Sequence, residues 1–160
     1  TVLFPRHEYL IDLADKVKAN RIIKNKKRVL YLTSAWLFHH HKKEHEFQLS
    51  HVKELVRLLR NNKSYELQIR IHPRENIKDY DFVPNANMST LQDFEDDLCQ
   101  ADCVISARST GLFEADKIGK PVIIYNDFFE KKMLNDFLVS LDFANSSNEL
   151  IELLKAKLNE

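Results

Sequence analysis

The sequence is poor in the residues that mark disordered, secreted or membrane-spanning proteins. Its 160 residues include only 2 glycines, 4 prolines and 2 cysteines. So little glycine and proline argues against a disordered chain, and so few cysteines fit a reducing compartment better than a disulfide framework. No apolar run approaches the roughly 20 residues of a membrane-spanning helix. We therefore predict one cytoplasmic domain over residues 1–160, large enough for a sizeable core.

The sequence also lacks an excess of either charge and the motifs of several large enzyme classes. Lys and Arg together number 24, as do Asp and Glu, so no overall field favours nucleic acid as a partner. Residues 33–36 (TSAW) stand where a dehydrogenase carries G-x-G-x-x-G, and Gly119-Lys120 precedes Pro121 rather than the Ser or Thr of a P-loop. The hydrolase motif G-x-S-x-G is missing too. These classes are therefore excluded.

Potential metal ligands are present, but their spacing does not suit a metal site. Cys99 and Cys103 lack two further ligands for zinc. Three consecutive histidines at 39–41, with His45, are good ligands by type, yet adjacent residues in a loop rarely point at one centre. We predict no resident metal and no cofactor, and interpret residues 39–41 as a solvated loop over the ligand pocket.

Strand and helix patterns alternate along the chain. Apolar residues at helical spacing predict helices, and short β-branched runs predict strands. The expected helices cover residues 4–23, 47–59, 90–99, 112–118, 128–138 and 147–158. The expected strands cover residues 29–33, 67–71, 103–106 and 122–125, with a short strand at 82–83 and a weak strand or turn at 139–143. This order predicts an α/β fold with a doubly wound parallel sheet of five or six strands.

The stretch from 101 to 125 has the pattern strand, turn, helix, strand, and its turn is rich in groups that bind phosphate. In parallel sheets ligands lie beyond the carboxyl ends of the strands, where helix starts also attract anions. Glu114, one turn into the helix, is placed to accept from sugar or ribose hydroxyls. The residues expected at the phosphate are Ser106, Arg108, Ser109, Thr110 and Gly111. The alternative is that Ser109 or Thr110 only caps the helix and Glu114 is an ordinary first-turn acid.

Two further loops follow predicted strands and should reach the same edge of the sheet. His72, held by the adjacent proline, could donate to a phosphate or leaving-group oxygen, and Arg74 could pair with phosphate. The alternative for His72 is a turn in which it caps a neighbouring carbonyl. Residues 36–38 (WLF) could stack on a base or sugar, cover a partner domain, or pack on the local core.

Taken in order, these motifs resemble the carboxy-terminal, donor-binding domain of GT-B glycosyltransferases. The resemblance rests on a strand ending in His-Pro at 72–73, the SARSTG turn at 106–111, Glu-Ala at 114–115 and Gly-Lys-Pro-Val at 119–122. It covers residues 28–128 and is most similar to bacterial capsule and lipopolysaccharide enzymes of the sialyltransferase, polysialyltransferase and glycerophosphotransferase types.

The resemblance implies a role for each matching residue. His72 would be the catalytic contact to the donor phosphate, Ser109, Thr110 and Gly111 would hold the same group, and Glu114 would bind ribose or sugar hydroxyls. The donor would be a nucleotide sugar, with CMP- or CDP-linked forms favoured over UDP-linked ones. The family's amino-terminal acceptor domain has no counterpart in these residues. We expect it upstream in a longer chain, where it would supply the general base and bind the saccharide acceptor.

Two functions from different classes are compatible with these residues. In the first, the chain is the donor-binding half of a glycosyltransferase at the inner face of the membrane, inactive by itself and in peripheral contact with membrane-bound machinery. In the second, it is a free-standing module that binds a nucleotide or another phosphorylated ligand without catalysis.

Overall fold

The alternating pattern folds into a parallel sheet covered by helices on both faces. The structure is a computed structural model that describes residues 7–19, 25–126 and 141–158. Its strands are β1 (Lys27–Leu32), β2 (Tyr65–Arg70), β3 (Cys103–Ser106), β4 (Val122–Tyr125) and β5 (Asp142–Ala144). All four strand pairs are parallel. The predicted fold class is confirmed.

Five α-helices lie within the described residues. They are α1 (His7–Ala19), α2 (Lys42–Leu59), α3 (Phe94–Gln100), α4 (Gly111–Lys117) and α5 (Ser147–Leu158). Gly119 follows α4 with a φ of +80°, a conformation that glycine adopts without a steric penalty. No helix among the described residues is long and apolar enough to cross a membrane.

The strand order places the topological switch point at the centre of the sheet. The order is β2-β1-β3-β4-β5, so the chain leaves β1 toward one edge and returns to place β3 on the other side of β1. Beyond the carboxyl ends of β1 and β3, the connecting loops diverge to opposite faces and leave a crevice. In register, Leu32 lies beside Arg70 on one side and Ser106 on the other. The loops that follow these three strands therefore start side by side.

Alternate side chains of β1 enter two separate hydrophobic cores. Val29 and Tyr31 lie on the face that α2 and α5 cover, whereas Leu30 and Leu32 lie on the face covered by α1, α3 and α4. This follows from the two-residue repeat of a strand that is buried on both faces. The first core also contains Val52, Leu55, Leu150 and Leu154, and the second contains Leu13, Leu98, Val104 and Leu112.

The structure corrects three of the predicted element boundaries. Residues 82–83 form a turn rather than a strand, and Met88 instead makes an isolated parallel bridge to Ile69. Helix α2 begins at Lys42, five residues earlier than predicted, because its first turn is polar and gives no apolar signal. Helix α3 begins at Phe94 rather than near residue 90, after Asp93 at its N-cap. The helix predicted at 128–138 lies outside the described residues.

Candidate ligand pocket

The loops after β1, β2 and β3 enclose a cavity of about 480 Å³ at the carboxyl edge of the sheet. Its lining combines hydroxyl, imidazole and guanidinium groups with one indole. The lining residues are Thr33, Ser34, Ala35, Trp36, His39, His41, His72, Arg108, Ser109 and Thr110. The sequence-based expectation that His72, Ser109 and Thr110 share one pocket is therefore met by the structure, although their roles in binding remain predictions.

A second, smaller cavity of about 190 Å³ adjoins the first. The two share four lining residues: Thr33, His72, Ser109 and Thr110. The smaller one is also lined by Arg70, Ile71, Phe94 and Glu114. A ligand with two parts on either side of a phosphate could therefore occupy both cavities, with the phosphate at the shared residues.

His72 has a fixed orientation at the boundary between the cavities. Its backbone N–H donates to Thr33 Oγ1 at 2.8 Å, and its Nδ1 accepts the backbone N–H of Arg74 at 3.1 Å. Because Nδ1 acts as an acceptor, the neutral imidazole carries its proton on Nε2, which is then a hydrogen-bond donor. Burial lowers the pKa of His72, the charges of Arg74 and His39 act in the same direction, and Glu75 opposes them. His72 is therefore suited to donate from Nε2 in its neutral form.

In the turn after β3, the Ser106 side chain hydrogen-bonds to the protein backbone, which the sequence did not suggest. Ser106 is fully buried, donates to Leu32 O at 2.7 Å and accepts the N–H of Ser109 at 3.0 Å. Ser106 therefore shapes the turn from beneath and lines neither cavity, so the structure does not bring it to the pocket as predicted. Both faces of β3 are buried, and the carbonyl of Leu32 on the neighbouring strand accepts from the Ser106 hydroxyl.

The start of α4 offers fewer backbone donors than predicted. The N–H of Gly111 donates to Ser109 Oγ at 3.2 Å, and those of Leu112 and Phe113 donate to the carbonyls of Ser109 and Thr110. These three donors are used within the turn, which corrects the idea that the first N–H groups of this helix await an anion. Thr110, by contrast, is the N-cap residue but makes no side-chain cap hydrogen bond, so its exposed hydroxyl can face a ligand.

Gly111 serves packing as well as access. It lines the smaller cavity, but an added Cβ would lie 2.8 Å from Leu32 Cδ1 and 2.9 Å from Phe94 Cζ. Those distances are too short for carbon atoms, so the glycine lets α4 approach β1 and α3 closely. The sequence-based expectation of ligand approach at Gly111 omitted this requirement.

The two arginines predicted at the phosphate lie in different surroundings. Arg108 lines the larger cavity, with its guanidinium carbon 5.9 Å from the centre of the Trp36 ring. Arg74 is exposed and lies 4.4 Å from the ring of Phe38, outside the lining of both cavities. Arg108 is therefore the cation placed for an anionic ligand, whereas the structure does not bring Arg74 to the pocket.

Glu114 lies in the smaller cavity with a partner that the sequence did not suggest. Its carboxylate accepts from the hydroxyl of Tyr9, on α1, at 3.1 Å. Burial raises the pKa of Glu114, the Tyr9 hydrogen bond opposes this, and the charge of Glu95 adds to it. One carboxylate oxygen of Glu114 thus accepts from Tyr9, and Glu114 remains placed to accept from ligand hydroxyls.

The aromatic residues after β1 separate into a buried anchor and an exposed pair. Trp36 is 5% exposed and donates from Nε1 to Gln48 Oε1 at 3.1 Å, while Leu37 and Phe38 are about half exposed. Of the alternatives drawn from the sequence, packing on the local core applies to Trp36 alone. His39 and His41 lie at the mouth of the larger cavity. Among the described residues, no cluster of three or more His, Cys, Asp or Glu side chains could hold a metal ion.

Glu75 is a buried acid beneath the pocket that the sequence analysis missed. Its side chain is 2% exposed, and it accepts from Tyr80 Oη at 2.7 Å and Gln48 Nε2 at 2.9 Å. Thr33 Oγ1 donates to its other carboxylate oxygen. One signal could have revealed part of this network: Gln48 occupies the apolar stripe of α2 together with Val52 and Leu55.

Solved structures share this architecture, although comparisons with protein-family models and with curated proteins found no match. The wall teichoic acid polymerase TagF, in a variant soaked with CDPG, matches 93% of this chain and 35% of its own at 17% identity and a TM-score of 0.58. Another TagF variant matches 92% of this chain and 38% of its own, at 17% identity and a TM-score of 0.54. The UDP-GlcNAc 2-epimerase from Methanocaldococcus jannaschii matches 97% of this chain and 44% of its own, at 15% identity and a TM-score of 0.52.

The chain thus spans less than half the length of each of these structures. At such low identity the likeness concerns the fold. The match extends over nearly all of this chain. The chain has the fold of one Rossmann-like half of a GT-B structure.

Proposed function

We propose that the chain is the donor-binding domain of a bacterial glycosyltransferase of capsule, lipopolysaccharide or other polysaccharide biosynthesis. It binds a nucleotide-activated sugar through the phosphate. The observation that carries the proposal is the cavity at the switch point of the sheet, where His72, Arg108, Ser109 and Thr110 line one space. Doubly wound sheets bind their ligands at this position.

The chemistry of the lining favours an anion. The larger cavity presents a guanidinium group, imidazoles and several hydroxyls, and the residues described as lining it include no carboxylate. Of the carboxylates near the pocket, Glu75 is buried beneath it, Glu114 lies in the adjoining cavity, and Glu44 lies 3.7 Å from His41 Nδ1. A phosphate therefore meets donors first, while hydroxyl groups of the attached ribose or sugar can reach Glu114.

In the reaction, these donors would stabilise the charge that develops on the departing nucleotide phosphate. The neutral His72, held in its turn before the ligand arrives, donates from Nε2, and Arg108 supplies a positive charge. The acceptor saccharide and the general base come from a second domain outside this chain, so the 160 residues bind donor without turning it over. We place the reaction on the cytoplasmic side of the membrane, next to membrane-bound machinery.

Cytidine nucleotides are the favoured donors, because the CDPG soak of TagF agrees with the His-Pro resemblance. UDP-linked donors are the alternative, since the epimerase that shares the fold is named for UDP-GlcNAc. Cytidine and uridine donors differ in the base. That base must fit into one of the two cavities, beside the residues that line both.

A thermal-shift screen of CMP, CDP, UDP and GDP tests the proposal directly. A nucleotide at a hundredfold excess over its Kd stabilises a folded protein by about 2.7 kcal/mol, or roughly 5–10 °C in Tm for a domain of this size. We expect CDP or CMP to give the largest shift. A larger shift with UDP or GDP would contradict the cytidine preference, and no shift with any nucleotide would contradict the proposed function.

Thr110→Ala is expected to weaken CDP binding by about tenfold without changing Tm. Its hydroxyl is exposed and makes no cap bond, so truncation leaves no cavity, and a lost hydrogen bond to phosphate costs about 1.5 kcal/mol or more. Calorimetric titration measures the change. Thr90→Ala, at an exposed threonine away from both cavities, is the matched control. Equal affinities of the two variants would show that Thr110 does not contact the ligand.

A further inference from the structure

Glu75 lies where two loops of the pocket meet, and all of its hydrogen-bond partners are donors to it. Thr33 follows β1, Gln48 is on α2, and Tyr80 belongs to the 3-10 helix Ile77–Tyr80. Burying a carboxylate is costly unless hydrogen bonds compensate for the lost water. His45 Nδ1 is 3.6 Å away, beyond hydrogen-bond distance. Three donors from three separate elements therefore keep this carboxylate buried.

The first branch of the network leads to His72. Thr33 has one hydroxyl proton, which it gives to Glu75, and its oxygen lone pair accepts the backbone N–H of His72 at 2.8 Å. The backbone of Glu75 closes the same turn, because its N–H donates to His72 O at 2.9 Å. His72 is thus held on its N–H side through the Glu75 side chain and on its carbonyl side through the Glu75 backbone.

The second branch leads to the wall formed by the loop after β1. Gln48 donates from Nε2 to Glu75 at 2.9 Å and to the Ser34 carbonyl at 3.2 Å, and its amide oxygen accepts the N–H of Ser34 at 2.8 Å and the indole N–H of Trp36 at 3.1 Å. A carboxylate can only accept, so Glu75 and the Ser34 carbonyl together fix which end of the Gln48 amide faces them. The substitution Glu75→Gln would place an NH₂ group beside side chains that donate to this position in the parent.

We propose that Glu75 is a positioning residue of the pocket, which holds His72 through Thr33 and Trp36 through Gln48, so that two loops act as one preorganised wall. The binding of a nucleotide phosphate by this wall rests on the proposed function. The coupling of the two loops through Glu75 is independent of that function. Preorganised donors bind an anion without the cost of ordering them at the moment of binding. Removing the acid should therefore misplace groups that it does not touch.

The test follows two reporters in the ligand-free 160-residue chain by ¹H–¹⁵N NMR. Trp36 is the only tryptophan, so its indole N–H gives a single assignable resonance, and the His72 amide and ring report on the other branch. In Glu75→Gln both reporters are expected to shift. The control is Glu152→Gln, the same change at a glutamate of α5 whose side chain is 74% exposed and pairs with Lys155 at 3.1 Å; it should leave both unchanged. Unchanged reporters in a folded Glu75→Gln protein would overturn the proposal.

Thr33→Val keeps the proposal testable should Glu75→Gln fail to fold. It retains the side-chain shape but removes the hydroxyl, so the His72 resonances should shift while the Trp36 indole resonance stays. If His72 does not respond, the proposed link is wrong. Calorimetry with CDP then measures the consequence, which we expect to be about tenfold weaker binding by Glu75→Gln than by Glu152→Gln. If the parent binds no nucleotide, the proposed function fails while the NMR comparison still decides the role of Glu75.

Discussion

Replacing His72 by alanine is expected to weaken CDP binding by about ten- to a hundredfold while the domain stays folded. The imidazole lies at the boundary of both cavities, and its Nε2–H is directed to donate because Nδ1 already accepts from Arg74. A hydrogen bond to a charged group contributes about 1.5–3 kcal/mol, which corresponds to that change in affinity. Calorimetric titration at pH 7.5, with Tm measured in parallel, gives both quantities.

His7→Ala is the matched control for this experiment. His7 is an exposed histidine at the start of α1 and lines neither cavity, so its removal should change neither affinity nor Tm. A His72→Ala protein that binds CDP as tightly as the His7→Ala protein would exclude His72 from the phosphate site. The alternative drawn from the sequence, in which this histidine only completes its turn, would then hold.

The pH dependence of binding gives a second, independent sign of His72 contact. Because burial and the charges of Arg74 and His39 lower the pKa of His72 in the free protein, the imidazole is neutral at pH 7.5. A bound phosphate favours the protonated form and raises this pKa, so affinity should rise as pH falls from 7.5 and level off once the pH is below the lowered pKa of the free imidazole. CDP itself also gains protons in this range. The measured quantity is therefore the difference between parent and His72→Ala, which should grow toward low pH.

Periodicity alone predicted most of the fold. The bounds of β3 and β4 follow from short β-branched runs, and α5 begins where Ser146 can accept the N–H of Glu149. The predicted location of the pocket follows from the same information, because parallel strands end at one edge and bring their loops together. The local sequence signal failed where polarity hid a helix, as in the first turn of α2, and where an apolar pair at 82–83 formed a turn.

The details of the site depend on contacts between residues far apart in sequence. Thr33 and Glu75 are 42 residues apart, and Tyr9 and Glu114 are 105 apart, so no local window could have paired them. Ser106 follows the same rule. Both faces of β3 are buried, so alternation along the strand does not separate a core residue from a ligand contact. The hydrogen bond that holds Ser106 runs to Leu32, 74 residues away.

Removing the Asp97 carboxylate should produce the largest loss of stability, about 3 kcal/mol or more in the free energy of unfolding. Asp97 is 2% exposed, accepts from Arg70 Nη1 at 2.6 Å and is within 2.7 Å of the Ser89 hydroxyl. Arg70 lies at the end of β2 and lines the smaller cavity. Breaking a buried pair costs about 3–5 kcal/mol because the remaining charge keeps no counter-ion. Urea denaturation of Asp97→Ala measures the loss.

The neighbouring residue Asp96 provides the control for Asp97. It is also an acid on α3, but its side chain is 44% exposed and pairs with Lys16 at the surface, so Asp96→Ala should cost less than about 1 kcal/mol. Equal losses in the two variants would show that burial of the Arg70–Asp97 pair does not determine its contribution.

A double variant separates the unpaired charge from the lost volume. In Asp97→Ala the guanidinium of Arg70 still donates to the carbonyls of Leu91 and Gln92, but its charge lacks a partner in a site that is only 18% exposed. Adding Arg70→Met removes that charge while keeping most of the side chain. If the unpaired charge dominates, the double variant should be more stable than Asp97→Ala alone. If the cavity left by the acid dominates, the second substitution should add a further loss.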